Sequence, residues 1–230
     1  MRGAWHQRHP ELGGQIGADL RARYPNLHLL IGSDGSATVR GTFPVRSPDR
    51  RVLDRYQVSI ELPADYPRCL PIVREVGGRI PWKADFHVNA DGVACVLLPD
   101  DRWRCFPEGA PFVQFLDGPV HQFFLGQSLV ALGEDWPFGQ WSHGPNGVNE
   151  YYQWLLETDD APTIARYLHV LAKLSMKGHW DCPCGSGQKI RRCCRAKIEA
   201  LRRKIPPVVA RKALGTLGAR MLPYIRSEPR

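Results

Sequence analysis

Two groups of residues in this chain have the types and spacing for chemistry. The first is Phe86–Leu98, FHVNADGVACVLL, in which His87, Asn89 and an Asp91-Gly92 turn precede Cys95 at the head of an apolar run. Asp-Gly pairs mark turns because Gly accepts backbone angles that side chains avoid. A turn that delivers a thiol to the mouth of a strand is a placement for a nucleophile. A lone Cys in an apolar run is more often a small buried hydrophobe. The second group is WDCPCGSGQKIRRCC, with Cys182, Cys184, Cys193 and Cys194 around a Gly-Ser-Gly turn. Four thiolates so close in sequence can meet at one tetrahedral metal. Soft sulfur ligands with no position left open point to structural Zn²⁺. Lys189, Arg191 and Arg192 would offset the charge of such a site.

The elements that must hold these groups fall into two regions of different charge. The net charge is +8 over 230 residues, but residues 161–230 hold 16 Lys and Arg against 3 Asp and Glu. A basic third of this kind is either a solvated helical surface or a site for nucleic acid, a ribosome or an acidic partner. No apolar run reaches the ~20 residues of a membrane helix. The start MRGAWHQRHPELGG has no apolar h-region, so a reducing cytoplasm is expected, where Cys residues serve as ligands, nucleophiles or core.

Leu12, Ile16 and Leu20 recur at spacing four and predict a helix over 10–23. Leu27–Ile31, a Gly-Ser-Asp-Gly cluster and Ser36–Val45 read as a hairpin. Residues 55–62 alternate, Pro63 and Tyr66-Pro67 end that strand, and Leu70–Val76 forms a fourth with Pro71 near its start. The order predicts an α+β domain built on an antiparallel four-strand meander with flanking helices. Residues 99–111 read as a loop, with Asp100 and Asp101 as solvated charges or as groups acting on an incoming amine, the first preferred. Residues 112–132 carry a helical apolar stripe that Gly118-Pro119 should kink or restart. The Gly-, Trp- and Pro-rich stretch 133–149 reads as a long ordered loop of the sort that borders a site. Glu150–Leu156 is expected to be helical. Asp160 is placed as the N-cap of a helix that Gly178 ends. A basic helical pair is expected after 195, broken at Pro206-Pro207.

CPCGSGQKIRRCC resembles the SEC-C motif, a zinc module named after the C-terminus of the SecA translocation ATPase. Both Cys pairs, Pro183, the glycine turn and Lys189 stand where that motif has them. The resemblance implies an accessory module that binds partners such as a chaperone or the ribosome. Upstream, the order of helix, four-strand meander, Tyr66-Pro67-Arg68-Cys69-Leu70-Pro71, His87-Val88-Asn89 and Gly92-Val93-Ala94-Cys95 resembles the ubiquitin-conjugating-enzyme fold. Val88 stands where that family has proline, and Asn89 precedes Cys95 by six residues, two fewer than in the eukaryotic pattern. These departures, with Trp136-Pro137-Phe138-Gly139 and His143-Gly144, look more like bacterial members that occur in antiphage gene clusters.

The resemblance implies a thioester between Cys95 and the C-terminus of a ubiquitin-like or other protein, formed with an activating enzyme and then passed to an amine such as a Lys side chain, with a ubiquitin-like protein or a signalling enzyme as the substrate. It implies Asn89 as the oxyanion donor. His87 is placed with them in the catalytic site, bracing the turn in preference to acting as a base, or else is a buried, tautomer-locked His. Cys69 is expected to be packed, and Cys105 is given no role. The domains expected are 1–158 (ubiquitin-conjugating-like), 159–178 (connecting helix), 179–196 (SEC-C) and 197–230 (basic helical tail). The competing expectation is a non-catalytic module that binds protein or nucleic acid through the fold and the basic arm.

Overall fold

The computed structural model describes residues 4–139, 141–142 and 144–225. They form two compact units, one of residues up to 97 plus 105–139, the other of 98–104 plus 140 onward. The boundary expected near residue 159 therefore lies earlier, and the segment just after Cys95 belongs to the second unit.

The first unit is α+β. Helices α1 (Trp5–Arg8) and α2 (Pro10–Arg23) lead into strands β1 (Leu27–Ile31), β2 (Ala37–Arg46), β3 (Val52–Leu62) and β4 (Ile72–Glu75). The strands form one antiparallel sheet in chain order. Alternation decides which face is covered: Val39, Phe43 and Val45 of β2 and Tyr56, Val58, Ile60 and Leu62 of β3 are all buried. Ile16 and Leu20 of α2 complete this core. After α3 (Arg102–Cys105), which lies in the second unit up to Arg104, the helical turn α4 (Phe112–Phe115) and one π-helical turn, Leu116–Val120, lead into α5 (His121–Ala131). Pro119 sits inside that widened turn, which absorbs the missing N–H where a kink or restart was expected. Phe124 of α5 then stacks on Tyr56 at 4.7 Å, which seats α5 against the sheet.

Between β4 and Cys95, carboxylates pin the chain. Buried Glu75 accepts the backbone N–H groups of Gly77 at 2.7 Å and Arg79 at 2.9 Å. The Arg79 guanidinium meets both oxygens of Asp54 at 2.9 Å and lies over the Tyr56 ring. Arg79 and Ser128 hold the Asp54 carboxyl well below the usual carboxylate range. Such bidentate pairs fix geometry as well as energy.

The second unit is helical: α6 (Pro145–Leu156), α7 (Ala161–Ala172), α8 (Arg195–Lys204) and α9 (Pro207–Ile225). Its core joins Tyr151, Tyr152, Leu168, Leu171, Ile190, Ile198 and Leu217. Asp160 caps α7, accepting the Thr163 N–H at 3.0 Å. That helix ends at Ala172 rather than Gly178, and Leu174, just beyond its end, is 84% exposed. The reason lies in distant cations. Arg202 donates to the carbonyls of Lys173 and Leu174, and Arg211 to that of Ala172. They satisfy the acceptors that a helix end leaves open.

Asp100 and Asp101 are not solvated. They are 8% and 3% exposed, in the segment that packs into this second core. Asp100 accepts the Tyr152 hydroxyl at 2.7 Å, and Asp101 pairs with Arg104. Both carboxylates have structural partners. No helix of the described residues is long and apolar enough to cross a membrane.

Candidate active site and metal centre

The Cys95 turn is built almost entirely by backbone hydrogen bonds. A 3-10 turn at Ala84–Phe86 ends on His87, whose φ of 53° is left-handed. The chain then reverses. The Asn89 N–H donates to Val93 O at 2.9 Å, the Gly92 N–H to Asn89 O at 2.9 Å, and the Val93 N–H to Asp91 Oδ1 at 3.1 Å. Gly92 is required twice: its φ is 79°, and a Cβ there would lie 2.8 Å from the Trp82 ring. On the return, the Ala94 N–H donates to Val73 O of β4 and the Cys95 N–H to His87 O, both at 2.8 Å. Cys95 is thus hung between the sheet and the His87 peptide.

This folding brings the three sequence-predicted residues together. Cys95 Sγ lies 3.5 Å from Asn89 Oδ1. Rotating that amide by half a turn places its NH₂ at the same point, where it could donate to charge developing on an acyl oxygen. The six-residue spacing is compatible with this contact because the Asn89–Val93 turn is so tight. Buried His87 lies against Trp136 with ring centroids 4.2 Å apart. Two neighbours were not singled out from the sequence. Gln127, 4% exposed on α5, donates to Phe86 O at 2.6 Å and so anchors the peptide before His87. Gly126 leaves room for Trp136, whose ring would lie 2.5 Å from a Cβ there. A Gln within the apolar stripe of 112–132 was the available signal. Trp136 comes from the stretch expected to border a site.

Cys95 opens to solvent, yet its thiol is not activated at rest. Protein on its inner side pushes the thiol pKa up, the Asp91 carboxylate adds to this, and the Asn89 amide opposes both. The thiolate fraction at neutral pH is correspondingly small. Iodoacetamide should therefore alkylate Cys95 more slowly than a free cysteine peptide at pH 7. The rate should climb through an alkaline midpoint above the ordinary thiol value, and Asp91→Asn should accelerate it. Peptide mass spectrometry separates Cys95 from Cys69 and Cys105, and an alkylation rate unchanged or slowed by Asp91→Asn would refute this account.

The second group converges as well. The Sγ atoms of Cys182, Cys184, Cys193 and Cys194 all lie within 4.8 Å of one another. Cys184 is 3.3 Å from Cys182 and 3.6 Å from Cys193, and Cys193 is 3.7 Å from Cys194. A tetrahedral ion with metal–sulfur bonds of ~2.3 Å sets its sulfurs ~3.8 Å apart, so these residues fit one metal ion. Gly185 and Gly187, with φ of 81° and 72°, reverse the chain between the pairs. The Cys182 N–H closes the loop onto Gln188 O at 2.8 Å.

Of the remaining residues singled out from the sequence, Cys69 is exposed rather than packed. The Cys105 carbonyl receives the Gln114 amide at 3.5 Å. His143 lies outside the described residues. Compared with protein-family profiles, curated proteins and solved structures, the chain matches none.

Proposed function

We propose that the first unit is a ubiquitin-conjugating-like domain. In this reading Cys95 forms a thioester with the C-terminus of a ubiquitin-like or other protein and passes it to an amine. The observation that carries the reading is the Cys95 Sγ–Asn89 contact of 3.5 Å, formed in a turn that also holds His87 and follows a four-strand antiparallel meander. Cys95 Sγ attacks the carbonyl of an acyl group held as a thioester by an activating enzyme. The new C–S bond forms as the donor thiol leaves. An amine, such as a Lys side chain, then attacks the Cys95 thioester, the C–N bond forms, and the Cys95 thiol departs with the proton lost by nitrogen. Asn89 donates to the oxyanion in the second step. A thiol with a raised pKa suits this role, because exchange between thioesters starts from an already activated carbonyl and a protonated thiol resists oxidation.

The setting we assign is a bacterial antiphage system in the cytoplasm, with an activating enzyme as partner. We assign the four-cysteine cluster to a SEC-C module holding structural Zn²⁺, because four thiolates close a tetrahedral shell with no position for substrate.

The test is a non-reducing gel of the protein incubated with ATP, an activating enzyme encoded beside it and that enzyme's modifier. A thiol-sensitive adduct that disappears in Cys95→Ala is the expected outcome. An adduct that persists in Cys95→Ala removes Cys95 as the nucleophile. No adduct with an activating enzyme that is itself charged favours the non-catalytic module.

A further inference from the structure

Many of the cations crowded into the C-terminal third serve the fold. Arg202 and Arg211 take carbonyls at the end of α7, and Lys197 donates to Leu156 O at 3.1 Å at the end of α6. Cations at helix C-termini are structural, since open carbonyls and the helix dipole both favour them. Lys189 and Arg195 are held by Asp181 and Glu199.

Two lysines of the second unit are placed differently, beside a ribbon of aromatic rings. Trp154, 52% exposed, lies 5.9 Å from the ring of Trp141. Trp141 meets Tyr151 at 5.7 Å, and the Tyr151 hydroxyl accepts the Trp103 indole N–H at 2.7 Å. The Lys204 ammonium stands 4.2 Å from the centroid of the Trp103 ring. Lys212 is exposed on α9, which packs on the Pro99–Asp101 turn that leads into Trp103. A half-exposed indole is held against a second indole, the ribbon runs through fully buried Tyr151 to the Trp103 ring and Lys204, and the positive charge beside it comes from residues 161–230, which hold 16 Lys and Arg against 3 Asp and Glu. Rings that offer a π-face beside cations that offer a counter-charge are the combination that binds single strands. Bases stack on the rings, and phosphates meet the ammonium groups. A duplex hides its base faces in its own stack, and an acidic peptide would use the charge but leave the indoles bare.

We propose that the second unit binds single-stranded nucleic acid across Trp154, Trp141 and Trp103, with Lys204 and Lys212 meeting its phosphates. The inference uses no residue of the Cys95 site and stands whether or not Cys95 forms a thioester.

The test titrates the full-length protein into fluorescein-labelled oligo-U and oligo-dT of about 12 nucleotides and a duplex of equal length, read by polarisation across a salt series. Single strands should bind more tightly than the duplex. Lys204→Ser with Lys212→Ser should flatten the log–log salt slope by about 1.4, two phosphate contacts at ~0.7 each. Trp154→Ala should weaken binding about tenfold with the slope unchanged, and Trp154→Phe should restore most of it. Any preference between oligo-U and oligo-dT identifies RNA or DNA as the natural strand. Absence of binding at low salt, equal binding of the duplex, or full affinity in a folded Trp154→Ala would overturn the proposal. So would displacement by polyglutamate as effective as by unlabelled oligo-U, which would mark the surface as one for acidic proteins.

Discussion

Cys182→Ser will strip the metal from the four-cysteine cluster and unfold the second unit. Cys182 is 4% exposed, so the serine leaves a smaller, harder donor facing three crowded sulfurs with no water to compensate. Ile190, wholly buried between the cysteine pairs, hangs from the loop that the ion would close, and Ile198 carries the same core into α8. Small metal modules draw about 10–16 kcal/mol from a structural Zn²⁺, more than a helical core of this size holds in reserve. Chelator on the wild type should act in the same way, lowering the helical melting transition and exposing four thiols to titration. The checks are elemental analysis and far-UV circular dichroism melts. One zinc per chain, lost in Cys182→Ser along with helix signal, is expected. Iron in place of zinc would reassign the ion, and a wild type devoid of metal would remove the centre altogether.

Asn89→Ala should slow discharge of the Cys95 thioester to a free amine by about 10²–10³-fold, the usual cost of removing one oxyanion donor. Loading should survive, since the Asn89 side chain is not what holds the thiol. The Cys95 N–H holds to His87 O and the preceding Ala94 N–H to Val73 O, hydrogen bonds that the substitution leaves intact. Single-turnover discharge measured apart from loading therefore separates a donor from a brace. Equal losses in both steps would mean that Asn89 shapes the turn. A discharge rate within about threefold of wild type would remove it from the chemistry, because that is little more than half a kcal/mol of barrier. Gln127→Leu tests the complementary role: it frees the peptide before His87 and should depress loading and discharge together.

What the sequence disclosed, and what it hid, follows from the reach of each interaction. The meander was legible because β2 and β3 alternate and turn residues separate the strands, all of it local. The Asp160 cap and the cysteine cluster were legible for the same reason. The end of α7 was not, because Arg202 and Arg211 are recruited from α8 and α9. Asp100 reads as a loop charge until Tyr152 arrives from α6 to bond it. The Asn89–Cys95 contact stood between these cases. Both residues were named, but only the compact turn at Asp91-Gly92 makes a shortened spacing compatible with contact.

The crossing of the chain between the two units has a consequence for biogenesis. Residues 98–104 leave the first unit three positions after Cys95 and bury Asp100 and Asp101 in the second, and the chain then returns to build α4 and α5. The order of synthesis is thus not the order of completion. As the chain emerges, the meander can pair early. The segment after Cys95 must wait, with two carboxylates and Trp103 unhoused, until α6 has emerged to supply Tyr151 and Tyr152. The earliest-made residues of the second unit are among the last to settle. A truncated chain ending before α6 would carry this segment open to solvent, a tether for chaperones and proteases.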